Sequence, residues 1–164
     1  MKRISIVLSI FLAFLIFTCE KPSAEVSDQN SVVYNLYRDF SWQAVFHDRI
    51  VFGGPIQQQP IRILKRYFTD DLAKLIARDA ECSRRAIGES CKIDFDPIFM
   101  SQDTSAVDLT IQSIGENKVE VRYKYPSNGS IIVLQYFLVS TKSGWKISNV
   151  IYKNGVSLMG ILGE

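Results

Sequence analysis

The apolar residues of this chain change their spacing once, and that change constrains the fold more than any other feature. Between residues 31 and 85 they recur at steps of three and four; between 107 and 152 they recur mostly at steps of two. The first period belongs to helices with one buried face, the second to strands. Helices first and strands afterwards imply an α+β domain, with the helices packed on one face of an antiparallel sheet.

Within the helical part, Val33, Leu36, Tyr37, Phe40 and Ala44 predict a helix over 31–46, capped by Ser31. Val32, Val45 and Phe46 widen its apolar stripe. Residues 49–59 read as a loop, broken by Gly53-Gly54-Pro55. Pro60 opens a short helix to Tyr67. Thr69 caps a longer one, with Asp70 and Asp71 in its first turn, where the helix dipole favours acids. Phe68, Leu72, Leu75, Ile76 and Ala80 form its inner face, and Gly88 is its stop.

In the second part Val107, Leu109 and Ile111 alternate with polar residues, and Gly115-Glu116-Asn117 turns the chain. Residues 118–125 alternate at every position and predict a half-buried strand. Pro126-Ser127-Asn128-Gly129 is the next turn; Asn128-Gly129-Ser130 also matches a glycosylation sequon, but the hairpin turn is the simpler reading. Residues 130–140 are apolar almost throughout, which predicts a central strand covered on both faces. Residues 145–152 return as a fourth strand, and 156–162 form a short apolar tail. Tight connections between consecutive strands imply a meander.

The first twenty-four residues are of a different kind. Lys2 and Arg3 precede an apolar run from Ile4 to Phe17, and the chain then turns polar. That is the order of a secretory signal. As a helix the run reaches about 21 Å, short of the roughly 30 Å hydrocarbon core of a bilayer. Two cuts are compatible with it. One precedes Cys19, which would then be lipidated, although Phe17 and Thr18 suit such a site poorly. The other follows Ala24, with Pro22 unusual two residues before it. A lipidated Cys19 followed by Glu20 favours the outer membrane. Residues 25–30 read as a tether, and 31–164 as one domain.

Export settles two apparent oddities. The formal charge of +2 is that of Lys2 and Arg3, so the mature chain is neutral at either cut. Acids and bases are interleaved, which excludes the basic stripe of a nucleic-acid binder. Three cysteines become two once Cys19 leaves the count, and Cys82 and Cys91 are free to pair in an oxidising compartment. Closing that loop stabilises the fold by roughly 2.5–3 kcal/mol in the chain-entropy picture.

Several strings carry a resemblance. Asp79-Ala80, Asp96-Pro97-Ile98 followed by Gln102-Asp103, Gly144-Trp145-Lys146-Ile147 and Ser157-Leu158 resemble domain-of-unknown-function family 3828 over residues 31–162. That family comprises exported bacterial proteins, many of them lipoproteins. The order of elements is similar to the cone-shaped domains typified by nuclear transport factor 2. The resemblance implies a fold and a location, and no general activity.

Candidate chemistry is sparse. His47 is the only histidine and reads as a helix-end residue rather than a base. With one histidine and a paired cysteine couple, no metal cluster or cofactor site can be assembled. Asp94, Asp96 and Asp103 are the densest carboxylate group outside the helices. Relatives of the cone fold use a mouth carboxylate with a tyrosine, and Tyr123, Tyr125 or Tyr136 could supply the second group. The simpler reading makes Asp96-Pro97 a turn and Asp103 a cap. The central strand leaves either Ile132, Leu134, Tyr136 and Leu138 or the alternate set in need of a cover. That cover is the C-terminal tail or a partner.

These readings converge on a non-catalytic envelope module that engages a protein partner or a second copy, with Asp96, Gln102, Asp103, Tyr123, Tyr136 and Trp145 as candidate contact residues. Membrane contact would come only through a lipid on Cys19. The alternative is a small apolar ligand binder or isomerase-like enzyme using a cone-mouth carboxylate.

Overall fold

The computed structural model describes residues 29–44, 54–85 and 91–163. The expected export segment, Cys19, His47 and Gly88 lie outside the described residues. Helix α1 (Asn30–Phe40) runs on into a 3-10 turn (Ser41–Ala44). A second 3-10 turn (Ile56–Gln58) precedes α2 (Ile61–Tyr67) and α3 (Asp70–Arg85). Strands β1 (Val107–Gly115), β2 (Lys118–Lys124), β3 (Ile131–Thr141) and β4 (Gly144–Ile151) follow, and α4 (Leu158–Gly163) closes the chain. The strands pair in sequence order, every pair antiparallel, so the α+β meander expected from the periodicities is the observed fold. Among the described residues no helix is long and apolar enough to cross a membrane.

The helices bury one stripe each against one face of the sheet. Val33, Leu36 and Tyr37 of α1, Leu64 of α2, and Leu72, Ala73 and Ile76 of α3 meet Val119, Val121, Leu134, Tyr136 and Ile147 in a single core. The link between α2 and α3 docks on β4: Phe68 bridges Ile147, and the Thr69 amide donates to the Ile147 carbonyl at 2.9 Å. Thr69 also accepts from the Leu72 amide at 3.4 Å, the capping role its position predicts. The Cys82–Cys91 disulfide ties the end of α3 to the segment that leads to the sheet.

Four local expectations differ from the fold. Ser31 lies inside α1 instead of capping it, because the helix begins at Asn30 with Gln29 before it. Gln29 in turn is no loose tether residue: its amide nitrogen donates to Ser113 and to the Gly115 carbonyl, and its oxygen accepts from the Asn117 amide at 3.1 Å. Ile56, in the expected loop, is fully buried. Val107 is 43% exposed although its alternation places it inward. A bulge between Val107 and Thr110, with Asp108 at φ 56°, shifts the phase of β1 there. Leu109 and Ile111 beyond it do pack against the core.

The tail also resolves. Ser157 caps α4 by accepting from the Gly160 amide at 2.8 Å, while Asn149 of β4 accepts from the Met159 amide at 3.0 Å. Leu158 and Leu162 thereby enter the core. The Asn128-Gly129 turn has Gly129 at φ 71°, and Asn128 accepts from the Ser130 amide at 2.9 Å.

Candidate functional site

The space between sheet and helices is occupied by a turn held by tyrosines. Asp96 is buried, and its Oδ1 accepts from the Ile98 amide at 2.9 Å. Its backbone amide bonds the Ser101 carbonyl at 2.9 Å, which closes the turn. Three successive carbonyls of this turn each receive a tyrosine hydroxyl. Tyr152 donates to Pro97 at 3.2 Å, Tyr37 donates to Ile98 at 2.5 Å, and Tyr123 donates to Phe99. Tyr37 has one proton and gives it to Ile98, so at 2.8 Å it accepts from Tyr136. Edge-to-face contacts of Phe99 with Tyr37 and Tyr123, both at 5.8 Å, fill the remaining volume.

Buried carbonyls need donors, and these hydroxyls supply them. Burial pushes all four tyrosines well above the usual phenol range, so they stay protonated and donating. The Asp96-Pro97-Ile98 string is thus a structural plug, in keeping with the simpler reading of its residues. A carboxylate and two candidate tyrosines do converge here, but Asp96 and Tyr123 bond the turn and Tyr136 bonds Tyr37, which itself holds the turn.

An open groove lies beside the plug. It holds about 630 Å³ between the Ile56–Gln58 turn, the second half of α3 and segment 93–104. Asp79, Asp94, Asp96, Phe95, Ile93 and Gln102 line it, with Arg84 at one side. Gln102 donates to Asp94 at 3.1 Å. Asp79 uses one oxygen for the Lys92 amide at 2.7 Å and the other for the Ile93 amide at 3.2 Å. This buried carboxylate thereby fixes the strand of chain that follows the disulfide. Its role is readable from one signal: it sits three residues after Ile76, on the apolar stripe of α3. Arg84 is held by Glu81 at 2.6 Å, and two guanidinium groups at Glu81 keep its carboxyl below the usual range.

The candidate residues therefore separate. Asp96 and Gln102 share the groove. Asp103 is exposed, its carbonyl accepting from the Ser101 hydroxyl at 2.8 Å. Tyr123 and Tyr136 are in the core. Trp145 borders a second recess, lined by α1, the end of α2 and the start of β4. Among the described residues no group of histidine, cysteine and carboxylate side chains is placed to hold a metal.

The outer face of the sheet is open in a different way. Register puts Ile132, Leu134, Tyr136 and Leu138 against the helices, opposite Tyr123, Val121 and Val119. Ile131, Val133, Gln135, Phe137 and Val139 point outward beside Lys124, Arg122, Glu120 and Lys118. Ile131 is 44% and Val139 39% exposed. Lys118 lies over the Phe137 ring at 5.0 Å, and Arg122 pairs with Glu120 at 3.1 Å. The C-terminal segment does not cross this face, since α4 inserts Leu158 and Leu162 into the core beside α3.

No protein-family model matches the chain, and no curated protein matches it. Among solved structures, a phospholipid-binding protein from Ralstonia solanacearum, determined in complex with a phospholipid, superposes over 83% of each chain with 12% identity and a TM-score of 0.42. A likeness at that level transfers neither ligand nor site.

Proposed function

We propose that this chain is a non-catalytic binding module, exported as the resemblance to family 3828 implies, and that it holds an envelope protein on the outer face of its sheet. The observation that carries the reading is the apolar column Ile131, Val133, Phe137 and Val139 on the face away from the helices, exposed at Ile131 and Val139 and half-buried at Val133 and Phe137. Apolar side chains aligned on a strand and flanked by charge form the centre and rim of an interface. Lys118, Arg122 and Lys124 outnumber Glu120 along β2, so the matching surface is apolar with an acidic flank.

The test is site-directed photo-crosslinking in intact cells. A reactive residue at Val133 or Val139 is expected to yield one discrete adduct that Phe137→Glu abolishes. An adduct at twice the chain mass identifies a second copy as the partner. Absence of any discrete adduct from the sheet sinks the reading.

One observation favours a second reading. A groove of about 630 Å³ lies within the range of roughly 300–1,000 Å³ that small-molecule sites occupy. With Ile93 and Phe95 on one side and Asp94 and Gln102 on the other, it suits a small ligand with an apolar body and a polar end. A reactive residue at Phe95 in the same experiment serves as its control: a small-molecule adduct there, and none at the sheet, assigns binding to the groove.

A further inference from the structure

The recess beside Trp145 collects positive charge. It holds about 360 Å³ between α1, the end of α2 and the start of β4, and Arg38, Arg66 and Lys146 line it with a single carboxylate, Asp39. That carboxylate is engaged: Oδ1 accepts from Arg38 Nε at 2.7 Å and Oδ2 accepts from the Tyr67 hydroxyl at 2.5 Å. The contact engages Arg38 through Nε, and among the described residues no acceptor pairs with its terminal nitrogens. Lys146 donates to the Lys65 carbonyl at 2.9 Å and the Arg66 carbonyl at 2.8 Å. It thereby offsets the negative end of α2 and keeps a third donor. Arg66 makes no ion pair among the described residues.

Three cations against one carboxylate leave a surplus of two charges in one recess. A carboxylate ligand would cancel half of it. A phosphate group, at roughly −1.5 to −2 near neutral pH, would cancel nearly all. Guanidinium forks match phosphate oxygens two at a time, and Ser143 and Asn35 add neutral donors in the same lining. Trp145, partly buried against the core, supplies a flat apolar wall for whatever carries the phosphate.

We propose that this recess binds a phosphate group, borne by a small organic phosphate or presented as a lipid headgroup. The site is independent of the sheet-face reading, because its residues come from α1, α2, the β3–β4 turn and the first residues of β4. Trp145 is also its reporter. The chain has two tryptophans, so Trp42→Phe isolates its emission. Inorganic phosphate titrated at constant ionic strength is expected to change that emission saturably. Arg66→Gln and Arg38→Gln should each weaken binding at least tenfold, whereas Lys74→Gln, on an exposed part of α3, should not. Vesicles of phosphatidylcholine with and without phosphatidate separate the sources. Co-flotation that requires phosphatidate and is lost in Arg66→Gln assigns a headgroup; a response to inorganic phosphate alone assigns a soluble ligand. An equal response to chloride, arginine variants that bind as well as the parent, or no response to either probe overturns the proposal.

Discussion

Alternate residues of β3 are nearly equal in apolarity and opposite in fate. Ile132, Leu134, Tyr136 and Leu138 meet helices and the tyrosine-held turn, while Ile131, Val133, Phe137 and Val139 lie on the face away from the helices, exposed at the two ends and half-buried between. What separates them is what lies across from each face. The inner set faces Leu36 and Tyr37 of α1 and a turn whose carbonyls demand donors. The outer set runs beside a row of lysines, arginine and glutamate that needs water or a polar partner. Burial on the inner face is therefore both apolar and polar: the hydroxyls are as much part of the seal as the rings.

The largest effect that can break this contrast is alkaline. Tyr37, Tyr123, Tyr136 and Tyr152 are raised above the ordinary phenol value first by burial. Tyr67 is pushed up to about 12 by burial and by its bond to Asp39. A folded-state value above the unfolded one gives stability that is complete below the unfolded pKa, about 10 for tyrosine. That stability drains as pH rises through about 10 toward each folded value. Each such tyrosine adds a slope of about 1.4 kcal/mol per pH unit, so together they should unfold the domain cooperatively. Phenolate absorbance and circular dichroism followed together check this: the buried phenols should ionise with loss of the fold. If they titrate smoothly in a folded protein, the inner face is not sealed.

Next in size is a pair of truncations one residue apart. Leu134 is fully buried, and Leu134→Ala should cost about 2–5 kcal/mol in urea denaturation, through lost burial plus a cavity. Val133→Ala, on the outer face, should cost no more than about 0.5 kcal/mol. Similar costs at the two positions would mean that the outer column is packed against something, and the contrast would fall.

The two faces also mark where sequence reasoning stops. Period alone separated helices from strands, because 3.6 and 2 cannot be confused over 118–125 or 70–85. Cysteine arithmetic points to Cys82–Cys91, since an export signal that takes Cys19 out of the count would leave these two to each other. In β3 both phases are apolar, so nothing local says which faces the helices; the tertiary partner decides. Val107 departs from its alternation for a related reason, as one bulged residue inverts the side of those before it. The tyrosine plug was hidden further. Each hydroxyl reaches its carbonyl across separations of 24 to 61 residues, and no spacing rule connects them. Likewise, the charge surplus near Trp145 is assembled from residues at 38, 66 and 146, each unremarkable in its own segment.

The smallest effect sharpens the contrast from the outside. Lys118 sits 5.0 Å above the Phe137 ring. A cation over an exposed ring is worth about 0.5–1 kcal/mol, and more when both are desolvated. Lys118→Gln removes the charge and keeps most of the stem that shields the ring, so the expected cost is about 0.5 kcal/mol. The strength of such a contact reports on water around it. If the isolated protein loses only this much, Lys118 and Phe137 are solvated together and their face is free to take a partner. A loss above about 2 kcal/mol would mean the pair is desolvated, and a desolvated pair needs a cover. Repeating the measurement across protein concentration separates the two sources of cover. A cost that grows with concentration reports a second copy on the sheet, and a constant one reports a segment of the same chain.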